Sequence, residues 1–200
     1  MSESAVTVRP AASVLVVRQD PTGPSVLMGR RAASHRFMPG ALVFPGGAVD
    51  AEDHQMAPLL WPLPGVMAQL ERLAGNGLGQ ALACCAAREL EEEAGLGLGR
   101  PPDLSGLELL CRAVTPRRFS TRFDAFFFVV DAARTTAGID VSGELEALAF
   151  VGLAEMPGLE LSVPTRFVLE QLKLWLSLAP AERALPRPVA VLREQTMALE

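Results

Sequence analysis

The stretch Arg88-Glu89-Leu90-Glu91-Glu92-Glu93-Ala94-Gly95-Leu96 decides how the rest of this chain is read. An α-helix advances about 100° per residue, so Glu89, Glu92 and Glu93 fall in one arc while Glu91 points nearly opposite. Ala83, Ala87, Leu90 and Ala94 form a separate apolar stripe suited to packing on a sheet. Carboxylates gathered on one arc repel one another unless positive charge lies between them. Acids also favour the N-terminal end of a helix, and these glutamates occupy the last turns, against the macrodipole. Hard divalent cations such as Mg²⁺ take oxygen ligands of this kind, usually beside phosphate oxygens. The pattern therefore predicts a metal site for phosphate chemistry, with Gly95 supplying the left-handed residue that ends the helix.

Composition bounds the rest. Two hundred residues, half of them hydrophobic, suit one domain with a substantial core, or one domain carrying an insertion. A net charge of −5 argues against a general nucleic-acid surface, while leaving room for local arginines to hold a small anion. No apolar run approaches the roughly 20 residues of a membrane span, and Met1 to Pro10 lack the basic-then-apolar layout of a signal peptide. Cys84, Cys85 and Cys111 match neither a disulfide framework nor a zinc spacing, so they are expected as small core residues. A reduced, cytoplasmic protein without nucleic-acid or membrane partners is the simplest expectation.

Along the chain, Ala11 to Val17 reads as a first strand, Gln19 to Pro24 as a hairpin turn, and Ser25 to Gly29 as the returning strand. Ala41 to Phe44 reads as a further strand ended by Pro45-Gly46-Gly47. Residues 54–79 change in composition and read as an insertion. Within it Val66 to Leu73 has a helical pattern, and Leu59-Leu60-Trp61 suits either a cap on the substrate pocket or burial against the sheet, with burial the first expectation. The acidic helix spans Gln80 to Ala94. Leu107 to Val114, Asp124 to Val130 and Leu148 to Gly152 read as strands, and Thr165 to Leu178 as a second principal helix. Pro180, Pro186 and Pro188 predict an irregular tail over 180–200. Strands mixed with two main helices give an α+β class with a mixed β-sheet.

The motifs carry a resemblance. Arg88 to Leu96 resembles the second half of the Nudix signature, R-E-U-x-E-E-x-G-U with U aliphatic, at every specified position. Gly47 and Asp53 resemble its first half, a glycine followed six residues later by an acid. Asp53 stands where the pattern has glutamate, and 34 residues separate it from Arg88 where the pattern has seven. Upstream, Arg31-Ala32, Arg36, Gly40 and Phe44-Pro45-Gly46-Gly47 are similar to the R-[S/A]-x₃-R-x₃-G-x₃-F-P-G-G motif of coenzyme A diphosphatase-like members, with Leu27-Met28-Gly29 departing from the usual Leu-Leu-Thr.

The resemblance implies a single domain over 1–200 with the Nudix-type α/β/α sandwich. It implies that Glu89, Glu92 and Glu93 bind Mg²⁺ or Mn²⁺, and that Arg88 anchors the loop by pairing with an acid, Glu92 among the candidates. The activity it implies is hydrolysis of coenzyme A or acyl-CoA to 3′,5′-ADP and (acyl-)4′-phosphopantetheine. An ADP-ribose or dinucleotide pyrophosphatase is the alternative within the same chemistry, and a non-catalytic nucleotide-sensing module the alternative outside it. Arg31 and Arg36 are candidates for phosphate contacts because guanidinium forks match phosphate oxygens. Phe44, Gly46 and Gly47 are candidates for close backbone approach to the substrate. Glu144 and Glu146 stand as candidates for an additional base or ligand. Arg117 and Arg118 suit either a phosphate contact or a solvated loop, and Asp124 either the site or a contact in a homodimer.

Overall fold

The computed structural model describes residues 6–32, 40–75, 77–137, 145–183 and 187–200. A long strand, β1 (Val8–Asp20), turns through Pro21-Thr22 into β2 (Gly23–Arg31), and two short strands follow, β3 (Leu42–Val43) and β4 (Gly46–Ala48). A 3-10 turn over Glu52–His54 leads to α1 (Pro64–Ala74) and the acidic α2 (Leu78–Ala94). Next come β5 (Leu96–Gly97), β6 (Glu108–Val114), β7 (Arg122–Asp131), β8 (Thr136–Ala137) and β9 (Leu145–Gly152). The chain closes with α3 (Val163–Ser177), the short α4 (Pro180–Arg183), and the strands β10 (Ala190–Arg193) and β11 (Thr196–Leu199).

Among the described residues the main sheet runs β11-β10-β6-β7-β1-β2-β3, with β4 also on β1 and β9 also on β2. The pairs β1–β7 and β10–β6 are parallel and the others antiparallel, so the sheet is mixed. β1 sits at its centre and the sheet splits along it. Ala11 to Ser13 pair with β4 while Val17 to Asp20 pair with β2, and between them the Val14 N–H donates to the Pro45 carbonyl at 2.9 Å. That split opens a gap between β2 and β4 beside the acidic helix.

Alternation along the strands builds two cores. Ala12, Val14 and Val16 face α2 together with Phe126 and Phe128 of β7. Leu15 and Val17 face α3, where Val168, Leu169, Leu172 and Trp175 cover the opposite side. The result is a mixed sheet flanked by helices. The stripe Ala83, Ala87 and Leu90 is buried against the sheet, with Ala94 half-buried beside it. Small residues at Ala81, Ala83, Ala86 and Ala87 let α2 approach closely, and Cys84, Cys85 and Cys111 are free and buried. Gly95 ends α2 in the left-handed region (φ 62°), its N–H returning to the Glu91 carbonyl at 2.9 Å. Ser162 caps α3 by accepting from the Thr165 N–H. No helix among the described residues is long and apolar enough to cross a membrane.

Three expectations are corrected. Pro45-Gly46-Gly47 does not simply end a strand, because Gly46–Ala48 re-enters the sheet as β4, where the absence of side chains allows tight pairing on β1. Residues 180–200 are not irregular throughout. After α4 and Pro188 the chain forms the β10–β11 hairpin, which adds to the sheet edge at β6. Leu59, Leu60 and Trp61 are exposed (64%, 51% and 38%) rather than buried. Backbone bonds hold that segment instead: the Leu59 N–H donates to the Pro102 carbonyl, and the Leu104 N–H to the Leu60 carbonyl, each at 2.8 Å.

Candidate active site

The last turns of α2 run beside β4, and the glycines of β4 permit the approach. A Cβ at Gly47 would collide with the Glu89 carboxylate, and one at Gly46 with the Ser13 hydroxyl and the Ala12 carbonyl. The Gly46 N–H donates to Glu93 Oε2 at 2.7 Å in a buried contact. Glu93 is thus aimed at the sheet rather than at solvent, and its residue is only 2% exposed.

Arg88 organises the acids around it. Its Nε and Nη2 grip Asp53 in a fork, at 2.9 Å to Oδ1 and 3.0 Å to Oδ2. Nη1 donates to Glu89 Oε1 and to Glu92 Oε2, each at 2.9 Å, and Nη2 also donates to the Ala48 carbonyl at 3.1 Å. Those bonds use every N–H of the guanidinium. The Asp53 carboxylate first, with Glu89 adding to it, raises the arginine's pKa further despite its burial, so it stays charged. Asp53 is itself buried, and its Oδ2 caps the preceding turn by accepting the Asp50 N–H at 2.8 Å. The two halves of the split motif therefore meet in space, although 35 positions separate Asp53 from Arg88. Glu92 is one partner of Arg88, but the most deeply buried one is Asp53. Glu91 lies on the other side of the helix, paired with Arg100.

These groups line one cavity of about 700 Å³. Its acidic wall is Glu89, Glu92 and Glu93 with Arg88. Arg31, Phe44, Gly46 and Gly47 line it as well, so most of the sequence candidates among the described residues converge, while Glu146, Arg117 and Asp124 do not. Glu146 lies exposed on β9 opposite Arg30 and is not among the described lining residues. Arg36 and Glu144 lie outside the described residues. Both loop arginines are exposed, and of the two Arg118 lines the cavity while Arg117 does not. Asp124 is held by Arg112 in a two-pronged ion pair at 2.6 Å, an arrangement of the sheet rather than of the cavity.

Several lining residues were not singled out by motif. Arg9, Ala11 and Ser13 share one face of β1, and Phe123, Ala125 and Phe127 one face of β7, all turned to the cavity. Period-2 alternation finds these residues once β1 is known to start at Val8. Phe127 meets Phe44 edge-to-face with centroids 6.4 Å apart, which makes part of the wall apolar. Ser162 to Thr165 and the hairpin residues Leu192 and Gln195 complete it, and no local pattern announces them. The cavity thus combines an acidic wall with Arg9, Arg31 and Arg118 in one lining.

The NUDIX domain model matches residues 8–172, most of the chain. The chain belongs to the Nudix family. A Nudix hydrolase from Alicyclobacillus acidocaldarius is similar at 26% identity, with 84% of this chain and 91% of that one covered and a TM-score of 0.65. At lower identity the likeness is one of fold. The MutT Nudix hydrolase from Burkholderia pseudomallei matches at 24% identity and a TM-score of 0.53, over 83% of this chain and 98% of that one. The Nudix domain of Shewanella oneidensis NrtR, solved with ADP ribose, matches at 16% and 0.53, over 86% and 90%. The protein is a Nudix hydrolase, an enzyme of a family that generally uses divalent metal ions such as Mg²⁺ or Mn²⁺.

Whether these residues fit such an ion is a question of donor chemistry. Among the described residues no group of three or more His, Cys, Asp or Glu closes on a common point as a finished metal cage. Arg88 instead bridges Glu89 and Glu92. Yet the donors are all carboxylate oxygens, the type Mg²⁺ and Mn²⁺ prefer. Each carboxylate offers about four lone-pair sites, so the bonds from Arg88 and Gly46 are compatible with ligation. The glycine at position 47 lets the Glu89 carboxylate pack directly against the backbone, a place that any side chain there would take from it. The set fits.

Proposed function

We propose that this Nudix hydrolase cleaves a nucleotide phosphoanhydride, coenzyme A or acyl-CoA, to 3′,5′-ADP and (acyl-)4′-phosphopantetheine. The observation that carries the reading is that Glu89, Glu92 and Glu93 share the lining of one cavity with Arg9, Arg31 and Arg118. Its volume suits a whole nucleotide, and the Phe44–Phe127 wall offers apolar surface for the pantetheine or acyl part. The motif from Arg31 to Gly47 supports coenzyme A among such substrates.

Glu89, Glu92 and Glu93 are the residues to hold Mg²⁺ or Mn²⁺. When bound, the ion supplies positive charge to the diphosphate oxygens and makes water a competent nucleophile near neutral pH. The rest is the work of the chain. The Gly46 N–H fixes the Glu93 carboxylate, and Arg88 fixes Glu89 and Glu92, so the acids need little reorganisation when substrate arrives. Arg31 takes a phosphate oxygen and orients the anhydride. Glu89, packed against the Gly47 backbone at the cavity wall, is the residue to accept the proton of the attacking water.

The test is a panel of coenzyme A, acetyl-CoA, ADP-ribose and NADH with Mg²⁺ or Mn²⁺, the products identified by mass. Release of 3′,5′-ADP from coenzyme A at the highest kcat/KM of the panel is expected. Faster turnover of ADP-ribose or NADH would overturn the choice of substrate and leave the hydrolase chemistry standing.

A further inference from the structure

The β10–β11 hairpin lies beyond the stretch matched to the family, yet it forms part of the cavity through Leu192 and Gln195. Its loop has two residues, Glu194 and Gln195, because Arg193 pairs with Thr196. Both sit at positive φ, 46° and 70°. Such a turn favours Asn-Gly, and longer side chains at positive φ are strained there. The side chains rather than the turn account for the residue types. Glu194 Oε1 accepts the Arg117 backbone N–H at 3.0 Å, tying the hairpin to the loop between β6 and β7. That loop presents Arg118 and Phe119 to the cavity, the guanidinium 5.0 Å from the centre of the neighbouring ring.

The position of this corner matters. β10 stands three strands from β1 in the sheet, whereas the glutamates of α2 stand against β4 and β1. Strands lie about 4.8 Å apart, so the two ends are separated by roughly 14 Å. A diphosphate held at the glutamates leaves Arg118 and Gln195 beside whatever the substrate carries further out. A charged fork, an amide and an exposed aromatic ring suit a phosphate monoester attached to a nucleoside.

We propose that the C-terminal hairpin selects the substrate: Gln195 closes the cavity, and Glu194 is a positioning residue that holds the 115–119 loop so that Arg118 binds a phosphate monoester remote from the scissile anhydride. This rests on the nucleotide phosphoanhydride reading of the cavity. Neither residue takes part in the hydrolytic step.

The experiment is calorimetric binding of coenzyme A and 3′-dephospho-coenzyme A without divalent metal, which separates recognition from turnover. The wild type is expected to bind coenzyme A more tightly than its dephospho form. Arg118→Ala should weaken coenzyme A binding about tenfold and Glu194→Ala at least about threefold, with little change for the dephospho form. Glu194→Gln keeps a carbonyl acceptor for the Arg117 N–H and should restore the wild-type Kd. The thermal midpoint should stay unchanged in all three variants. Equal binding of the two ligands by the wild type, or discrimination undiminished from the wild type in Arg118→Ala or Glu194→Ala, overturns the proposal. So does weakening shared by Glu194→Gln with a lowered midpoint, which marks a structural role. Discrimination in this assay without metal-dependent hydrolysis overturns the catalytic reading alone, and failure to bind either ligand overturns both.

Discussion

At the scale of single residues, Arg88 is where fold and site depend on each other. Its guanidinium neutralises Asp53, steadies Glu89 and Glu92, and holds the Ala48 carbonyl of β4. Removing one member of a buried ion pair leaves the other charge uncompensated, which costs about 3–5 kcal/mol. Arg88→Ala is therefore expected to lower the free energy of unfolding by that order, measured by denaturant titration. Asp53→Asn keeps the shape and removes only the charge, so a smaller loss is expected. The aspartate is legible as a candidate from the spacing Gly47 to Asp53, but its partner is not. Nothing local in sequence says that residue 53 folds back onto residue 88 across a helix-containing segment. Arg9 was hidden for a related reason. It precedes the apolar run of β1, and only pairing with β7 extends the strand back to Val8.

At the scale of elements, α2 and β1 were readable because their signals are local. The acidic arc, the alanine stripe and the terminal glycine all lie within one helix, and Val14 to Val17 form an unbroken apolar run. The hairpin β10–β11 was not readable. Each strand has only four residues, their apolar positions do not alternate cleanly, and the turn lacks the glycine that usually marks it. Its stability comes from β6, far away in sequence, and no window of the chain contains that partner. Leu59-Leu60-Trp61 failed in the opposite direction, because apolar composition predicts burial while flanking prolines and backbone bonds to Pro102 and Leu104 hold the segment at the surface.

The helix also makes a prediction about pH. Burial, with the charge of Asp53 adding to it, raises the Cys84 thiol from its ordinary 9.0 to about 11, and burial pushes the neighbouring Cys85 up as well. Between these values the unfolded chain releases protons that the folded chain keeps. Fewer protons bound in the unfolded state means that stability falls as pH rises, by up to about 1.4 kcal/mol per pH unit for each thiol. Unfolding free energies should therefore decline from pH 9 to pH 11 more steeply in the wild type than in Cys84→Ala. Equal slopes would contradict the assignment.

At the scale of the whole molecule, the split around β1 joins architecture to chemistry. One sheet buries a core on each face, and where β4 replaces β2 along β1 the backbone comes close enough to α2 to fix its acids. The cavity that results has an acidic wall at the helix and arginines elsewhere in its lining, a combination suited to holding a cation and a polyphosphate together. The central claim is that the acidic wall serves metal-dependent hydrolysis. Glu92 offers the most direct test, because its side chain is half exposed and bonded to Arg88, so Glu92→Gln should change stability little. The measurement is the rate of coenzyme A hydrolysis by wild type and Glu92→Gln across a Mg²⁺ titration, with circular dichroism as the check on folding. The account predicts at least about a hundredfold loss of rate in a folded variant, and a rate unchanged from the wild type would contradict it.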